Sequence, residues 1–240
     1  MNNFSAIVLS AGTGSRMKSN LPKQYMDLNG KPVIYYSLKA FEDSDFSSIV
    51  LVCGKNDVEY CKKEIVEKYG FKKVKAVVPG GKERYHSVYE GLKVLEGADY
   101  VFIHDGARPM ITLELIKRLQ DVVITEETAI AGMPVKDTIK IVDENNYVTS
   151  TPERKYVWQV QTPQCFSYSL IYEAYHAIIT DETEGIPIPP ITDDAMVLSY
   201  VTDYEVKMVE ADYKNIKITT PEDIDIASVF LNNVNAISSN

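Results

Sequence analysis

Ala6-Ile7-Val8-Leu9-Ser10-Ala11-Gly12-Thr13-Gly14-Ser15-Arg16 is the stretch that decides the fold. Its first four residues form a short apolar run, which is typical of a strand buried on both faces of a sheet. The run leads directly into a loop with two glycines and an arginine. Glycines let backbone amides approach phosphate oxygens, and a guanidinium can bind two of those oxygens at once. The stretch therefore predicts a buried strand followed by an anion-binding loop.

Similar apolar runs recur along the chain and alternate with segments of helical character. The runs lie at 48–52, 74–78, 100–103 and 129–133, and the helical segments lie at 33–41, 57–68, 87–95 and 113–123. This alternation predicts an α/β fold, a mostly parallel sheet flanked by helices, with ligands at the carboxyl ends of the strands. Because no linker divides the 240 residues, we expect a single domain over residues 1–240.

The alternation breaks after Pro134. Residues 138–142 alternate polar and apolar, a turn cluster follows at 143–146, and residues 147–150 can return as a second strand. This pattern predicts a β-hairpin within an arm at about 137–160, which either extends the sheet or packs on a second subunit. Further helices are expected at 167–179, at 193–200 and after Pro221, with a strand at 205–209 and a proline-rich loop at 183–190.

Composition limits the classes of partner. The net charge of −9 argues against general binding to nucleic acid or to an anionic membrane surface. Three cysteines without metal-type spacing fit a reducing compartment, and the first residues carry no basic targeting segment. No apolar run is long enough to span a bilayer. We therefore expect a cytoplasmic protein that binds anions through a local cluster of lysine and arginine.

Two common nucleotide motifs are incomplete. The third glycine of the dinucleotide fingerprint falls at Met17, and the second strand ends at Gly54 without an acid to bind ribose. The Walker pattern fails as well, since Glu83 follows Gly81-Lys82. These departures argue against an NAD-dependent oxidoreductase and against a P-loop enzyme.

Polar groups nevertheless follow the predicted strands. Lys23 can bring a second positive charge to the glycine loop, although a solvated lysine is the alternative. Gly80 and Gly81 can let a base lie close to the backbone, and Ser87 can bond to it or serve as a helix N-cap.

The fourth strand ends in His104-Asp105-Gly106-Ala107-Arg108. Asp105 suits a Mg²⁺ ion that bridges nucleotide phosphates and Arg108 suits a second substrate, whereas a plain ion pair is the alternative. His104 is expected to be structural, since three histidines without partner spacing form neither a metal site nor a triad. Basic residues at positions 16, 23, 84, 108, 154 and 217 all fall in loops or at element ends, so one cationic site for a phosphate-rich ligand is possible.

In order and combination, these motifs resemble the 2-C-methyl-D-erythritol 4-phosphate cytidylyltransferase family, from about Ser5 to Ala227. The resemblance implies a Rossmann-like nucleotidyltransferase fold and a homodimer with interlocking hairpin arms. It implies transfer of CMP from CTP to 2-C-methyl-D-erythritol 4-phosphate, with Mg²⁺ or another divalent cation, in the non-mevalonate route to isoprenoid precursors. The products would be 4-diphosphocytidyl-2-C-methyl-D-erythritol and pyrophosphate.

The resemblance also assigns roles to residues. CTP would be bound by Ala11, Gly12, Gly14, Arg16, Lys23, Gly80, Gly81 and Ser87. The second substrate would be bound by Asp105, Arg108, Thr138, Arg154, Thr162 and Lys217. Catalysis would depend on Arg16, Lys23, Lys217 and Arg154 from the partner's arm, and Asp105 would serve the metal.

No nucleophile or base is required for such a reaction, because the attacking phosphate oxygen is already ionised near neutral pH. Catalysis then reduces to aligning two anions and neutralising charge. Ser10 and Gly106 stand where the family often has alanine, and both are small enough to preserve binding. Two alternatives remain: a ribitol 5-phosphate cytidylyltransferase with the same fold and mechanism, and a nucleotide-binding regulator without turnover.

Overall fold

The computed structural model describes residues 2–12 and 21–238, with side chains of the last helix described as far as residue 233. Its strands are β1 (Phe4–Ser10), β2 (Asp27–Leu28), β3 (Lys31–Pro32), β4 (Ser48–Cys53), β5 (Val74–Pro79), β6 (Tyr100–Asp105), β7 (Thr128–Pro134), β8 (Ile141–Val142), β9 (Val148–Ser150), β10 (Trp158–Ser167) and β11 (Met208–Glu210).

The helices are α1 (Val33–Asp43), α2 (Val58–Tyr60), α3 (Arg84–Leu92), α4 (Leu113–Glu126), α5 (Tyr168–Thr183), α6 (Asp194–Val201) and α7 (Pro221–Ser238). A π-helical segment, Cys61–Glu67, continues α2, and short 3-10 turns occupy Lys23–Tyr25, Lys55–Asp57 and Arg154–Tyr156. None of the helices in the described part of the chain is both long and apolar enough to cross a lipid bilayer.

Seven strands form the central sheet in the order β11-β7-β10-β6-β1-β4-β5. β5, β4, β1 and β6 pair in parallel, β11 pairs in parallel with β7, and β10 runs antiparallel between β6 and β7. The predicted mostly parallel α/β sheet is therefore confirmed. Because this sheet takes strands from Phe4 to Glu210, the carboxyl ends of distant segments meet at one edge; the single-domain assignment of residues 1–240 stays a prediction.

Helices pack against both faces of the sheet at strand β1. Ala6 and Val8 lie in one buried cluster with side chains of α1 and α4, and Ile7 lies in a second cluster with side chains of α3, α5 and α6. All three are fully buried. The apolar run at the start of the chain therefore reflects burial on both faces, as expected for a central parallel strand.

Strand β10 was not predicted. Gln161-Thr162-Pro163-Gln164 lacks the pattern of a central strand, because a proline cannot donate a hydrogen bond to the neighbouring strand. In the structure β10 lies between β6 and β7, and its register shifts between Val160 and Gln164. Gln161, Thr162 and Gln164 are nevertheless buried. Their polar groups are satisfied by hydrogen bonds to β6, to α6 and to the loops that precede α6 and α7, all far away along the chain.

Smaller differences concern element bounds. Helix α3 begins at Arg84, with Glu83 as its N-cap, so the alternative that Ser87 caps this helix is wrong. The antiparallel hairpin β8–β9 is present but short, pairing Ile141 with Ser150 and Val142 with Val148. Its function as a projecting dimerisation arm stays a prediction.

Candidate active site

A cavity of about 340 Å³ opens where the carboxyl ends of β1 and β6 meet the loop after β5. It is lined by Leu9, Ser10, Ala11, Gly12, Lys23, Gln24, Gly81, Lys82, Glu83, Arg84, Ser87, Asp105, Ala107 and Lys217. Four of these lining residues are cationic and two are acidic, so the described part of the wall carries a net positive charge although the whole chain is acidic. Such a wall favours an anionic ligand.

The loop after β1 is held by a buried glutamine. The side-chain amide of Gln24 donates hydrogen bonds to the carbonyl oxygens of Ser10, at 2.5 Å, and Gly12, at 3.3 Å. Gln24 follows Lys23 in the 3-10 turn that begins after Pro22. This pairing fixes the described start of the glycine loop and places Lys23 at the cavity wall beside it.

The loop after β5 is closely packed. A Cβ atom at Gly80 would lie 2.5 Å from the Cβ of Ala11 and 2.7 Å from Oγ of Ser87, so only glycine fits without displacement. The Ser87 hydroxyl accepts a hydrogen bond from the Gly81 amide and donates one to the Glu83 carbonyl, both at 3.1 Å. Ser87, which lies in α3, therefore stabilises the turn that contains Gly80 and Gly81.

Asp105 is surrounded by three cations. Its Oδ2 atom lies 2.9 Å from Nζ of Lys217 and 3.6 Å from Nε of Arg108, while its Oδ1 atom lies 3.5 Å from Nε of Arg84. Burial by itself would raise the pKa of Asp105, but the charges of Arg84, Lys217 and Arg108 outweigh it and hold the pKa well below its usual value. The carboxylate is thus ionised throughout the physiological range.

Behind Asp105, Thr162 connects β6 to β10. The Asp105 amide donates to Oγ1 of Thr162 at 3.0 Å, and the same hydroxyl lies 3.0 Å from Nδ1 of His104. Nε2 of His104 lies 3.2 Å from the carbonyl oxygen of Arg108. Burial lowers the pKa of His104 to about 4, so the imidazole is neutral near pH 7. This network agrees with the structural role expected for His104.

The segment that carries Lys217 is tied to the same strands. The side-chain amide of Asn215 donates to Oε1 of Gln161 and to the carbonyl of Thr162, both at 2.9 Å. Nη1 of Arg108 donates to the Asn215 carbonyl at 2.9 Å. The Lys217 ammonium therefore reaches the cavity from a backbone segment that the hydrogen bonds of Asn215 and Arg108 hold in position.

The structure brings together most of the residues that the sequence selected. Seven line the cavity, namely Ala11, Gly12, Lys23, Gly81, Ser87, Asp105 and Lys217, while Gly80, Arg108 and Thr162 pack directly behind it. Thr138 and Arg154 are exposed near the hairpin and do not line this cavity. Gly14 and Arg16 lie outside the described residues.

Other residues of the site were not selected from the sequence. Arg84 was noted only as one basic position, yet it pairs with both Asp105 and Asp194. Gln24, Gln161 and Gln164 are not among the residues that the sequence selects, yet each forms buried hydrogen bonds near the site. The one available signal was the position of Arg84 three residues after Gly81, at the start of a helix that faces the predicted site.

The donor set limits how a metal can bind. No group of three or more His, Cys, Asp or Glu side chains suited to a metal ion occurs among the described residues. Asp105 supplies a single carboxylate, and its Oδ1 atom is the one without a lysine beside it. Mg²⁺ is commonly bound by one or two carboxylates together with substrate phosphates. The residues therefore fit a cation that arrives mainly on a phosphate ligand.

Comparison with known proteins agrees with this geometry. A family model described as "IspD: 2-C-methyl-D-erythritol 4-phosphate cytidylyltransferase" matches residues 4–233. The chain is 48% identical over 227 residues to a 2-C-methyl-D-erythritol 4-phosphate cytidylyltransferase of Lachnospira eligens, covering 94% of this chain and 98% of the relative. It is 46% identical over 231 residues to the corresponding protein of Lachnoclostridium phytofermentans, covering 96% and 97%.

Solved structures show the same fold. The crystal structure of 4-diphosphocytidyl-2C-methyl-D-erythritol synthase from Anaerococcus prevotii superposes with a TM-score of 0.82 at 35% identity, covering 96% of both chains. The 2-C-methyl-D-erythritol 4-phosphate cytidylyltransferase of Thermus thermophilus gives a TM-score of 0.73 at 26% identity, covering 96% of this chain and 98% of that one. By sequence match over nearly its whole length and by fold, the chain belongs to the 2-C-methyl-D-erythritol 4-phosphate cytidylyltransferase family.

Proposed function

We propose that this protein transfers CMP from CTP to 2-C-methyl-D-erythritol 4-phosphate and releases pyrophosphate. The observation that carries the proposal is the position of Lys217 and Asp105. These two residues form an ion pair on the wall of a cationic cavity, which is also lined by Ala11 and Gly12 at the described start of the glycine loop. Family membership supplies the identities of the nucleotide and the acceptor.

In this reaction a phosphate oxygen of the acceptor attacks the α-phosphorus of CTP, and the bond to the leaving pyrophosphate breaks. The amides near Gly12 and Gly81 would hold the nucleotide, with Lys23 beside its phosphates. Lys217 would draw the acceptor phosphate into line and neutralise charge that develops on the α-phosphate. No proton must be removed from the attacking oxygen, so no residue of the site needs to act as a general base.

We further propose that Asp105 serves a Mg²⁺ ion or another divalent cation. Bound to the phosphates of CTP, the cation would neutralise charge on the triphosphate and on the leaving group. Asp105 is suited to hold one ligand position because its pKa is well below the usual value and its Oδ1 atom faces only Arg84. Loss of activity with EDTA, restored by added Mg²⁺, would support this role; full activity in EDTA would refute it.

The decisive experiment measures pyrophosphate release from CTP with methylerythritol phosphate and ribitol 5-phosphate in parallel, with the nucleotide product identified by mass spectrometry. We expect release with methylerythritol phosphate only. Release with ribitol 5-phosphate alone would overturn the acceptor. No release with either acceptor, together with measurable CTP binding, would favour a regulator without turnover.

We also propose that the protein works in the cytoplasm as a homodimer, with the segment around β8 and β9 as the arm. Side chains at Ile141, Val142, Tyr147 and Val148 are apolar and exposed in the single chain, as expected of a surface that a partner covers. Arg154 lies beyond this hairpin, where its Nη1 atom donates to the Lys136 carbonyl at 3.0 Å. Thr138 and Arg154 would complete the site of the partner subunit.

A mixing experiment tests this arrangement. Arg154→Ala and Lys217→Ala homodimers are each expected to be nearly inactive, since each lacks one component of every site. Subunit exchange between equal amounts should restore about a quarter of the parental activity, because half of the dimers are mixed and each mixed dimer holds one complete site. Absence of restoration in dimers shown to exchange would contradict a shared site.

A further inference from the structure

Arg84 joins two acidic side chains that belong to different parts of the fold. Its Nη1 and Nη2 atoms donate to the two carboxylate oxygens of Asp194 at 2.7 and 2.8 Å, and its Nε atom lies 3.5 Å from Oδ1 of Asp105. All three guanidinium nitrogens thus face carboxylates. Although Arg84 lines the cavity, most of its charge is balanced inside the protein, which makes it a poor binder of ligand phosphate.

Asp194 is anchored from behind and does not line the cavity. It is fully buried, and its Oδ1 atom accepts a hydrogen bond of 2.5 Å from the hydroxyl of Tyr175 on α5. Its backbone amide donates to Oε1 of Gln164 on β10 at 3.0 Å. The carboxylate that orients Arg84 is therefore fixed by two further elements of the fold.

The cations around Asp105 divide between its two oxygens. Lys217 and Arg108 face Oδ2, whereas Oδ1 faces Arg84. Without Arg84, the carboxylate would keep side-chain cations on one oxygen only, and in the absence of ligand it could rotate about its Cβ–Cγ bond. Rotation would move the oxygen to which the Lys217 ammonium is bound. The orientation of Lys217 at the cavity thus depends on a residue that touches Asp105 from the opposite side.

We propose that Arg84 and Asp194 form a positioning pair that holds the Asp105 carboxylate in place and, through it, the ammonium group of Lys217. The inference rests on the proposed cytidylyl transfer, to which it adds two residues that bind neither substrate. Since a displacement of about 1 Å at a reacting group can lower turnover by about 10²-fold, loss of the pair should lower kcat by about tenfold or more. The KM for CTP should change less, because the glycine loops are not part of the pair.

The first variant removes both charges together, Arg84→Met with Asp194→Asn, so that no buried charge is left without a partner. Its kcat and KM are measured by pyrophosphate release at a temperature where thermal unfolding shows it to be folded. Ile178→Val serves as the matched control for stability. Ile178 is fully buried on α5 in the same cluster as Tyr175, and its truncation should lower the melting temperature while kcat is retained.

A double-mutant cycle separates positioning from general stabilisation. If the pair acts through Asp105, adding the double substitution to Asp105→Asn should lower kcat by no more than about twofold further. Arg84→Lys, which keeps the charge but loses the bidentate ion pair with Asp194, should give an intermediate kcat. If the double substitution prevents folding, Arg84→Lys takes its place in the same cycle.

Two results would overturn the inference: parental kcat in the folded pair variant, or a loss that multiplies fully with that of Asp105→Asn. Both require that the parent protein is active. A parent that releases no pyrophosphate with methylerythritol phosphate would instead refute the proposed function, so the two failures are distinguishable.

Discussion

Replacing Lys217 with alanine tests the mechanism most directly, because its effects on stability and on turnover should differ greatly in size. The Lys217 ammonium lies 2.9 Å from Asp105 Oδ2 and its side chain is 38% exposed. An ion pair so accessible to water contributes at most about 1 kcal/mol to folding. Loss of one hydrogen-bond donor to a transition state lowers kcat by about 10² to 10³, or about 2.7 to 4 kcal/mol. Lys217→Ala should therefore fold normally and turn over at least about 10²-fold more slowly.

The assay follows pyrophosphate release at saturating CTP, Mg²⁺ and methylerythritol phosphate, with melting temperature measured on the same samples. Lys117→Ala is the matched control: Lys117 also forms a lysine–aspartate pair, 2.8 Å from Asp121, but its side chain is 65% exposed. This control should leave kcat unchanged. If Lys217→Ala kept kcat within about threefold of the parent, the assignment of Lys217 to the transition state would be wrong.

Three further substitutions test the surroundings of the site. Thr162→Val should cost about 1 to 3 kcal/mol in urea unfolding because it leaves the buried Asp105 amide unpaired, whereas Thr162→Ser should restore most of the loss. Gly80→Ala should raise the KM for CTP, since the new Cβ atom would lie 2.5 Å from that of Ala11 and must displace the loop; an unchanged KM would contradict this packing. Asp223→Asn should cost about 1 kcal/mol at pH 7, because a neutral amide oxygen accepts the hydrogen bonds of the Thr219 and Thr220 amides less strongly than a carboxylate does. Burial by itself would raise the pKa of Asp223, but hydrogen bonds from the two threonines ahead of α7 lower the pKa from its usual value of 3.8. The stabilisation of the folded state by the Asp223 carboxylate is therefore present above pH 3.8 and is lost as the pH falls further. Urea unfolding should show the two proteins converging in acid.

The local pattern of apolar and polar residues was sufficient to predict the structure where each residue's environment follows from its neighbours in the sequence. The run at Ala6 to Leu9 is buried on both faces, and the helices that alternate with such runs cover the sheet. Positions such as Gly12, Gly81 and Asp105 follow strands, and parallel strands bring their carboxyl ends to one edge. The sequence thus predicted the α/β class and seven of the fourteen residues that line the cavity in the described part of the chain.

Pattern failed where a buried polar residue depends on a partner far along the chain. β10 was not predicted, and Gln161 and Gln164 do not indicate a central strand, because burying a glutamine is unfavourable unless its amide is satisfied. Their partners, Asn215 and the amide of Asp194, lie 54 and 30 residues away. Once those partners are in place, β10 can occupy the centre of the sheet.

The same distinction applies to function. From its sequence alone, this protein has a strand-and-glycine-loop nucleotide site, an acidic group after the fourth strand and basic residues spread over several loops. Only the tertiary structure pairs Arg84 with Asp194, 110 residues away, and directs both toward Asp105 and Lys217. The physical reason is that apolar burial repeats with the period of a strand or helix and is visible locally. A buried charge is stable only beside a specific opposite charge, and the folded chain alone determines which residue that is.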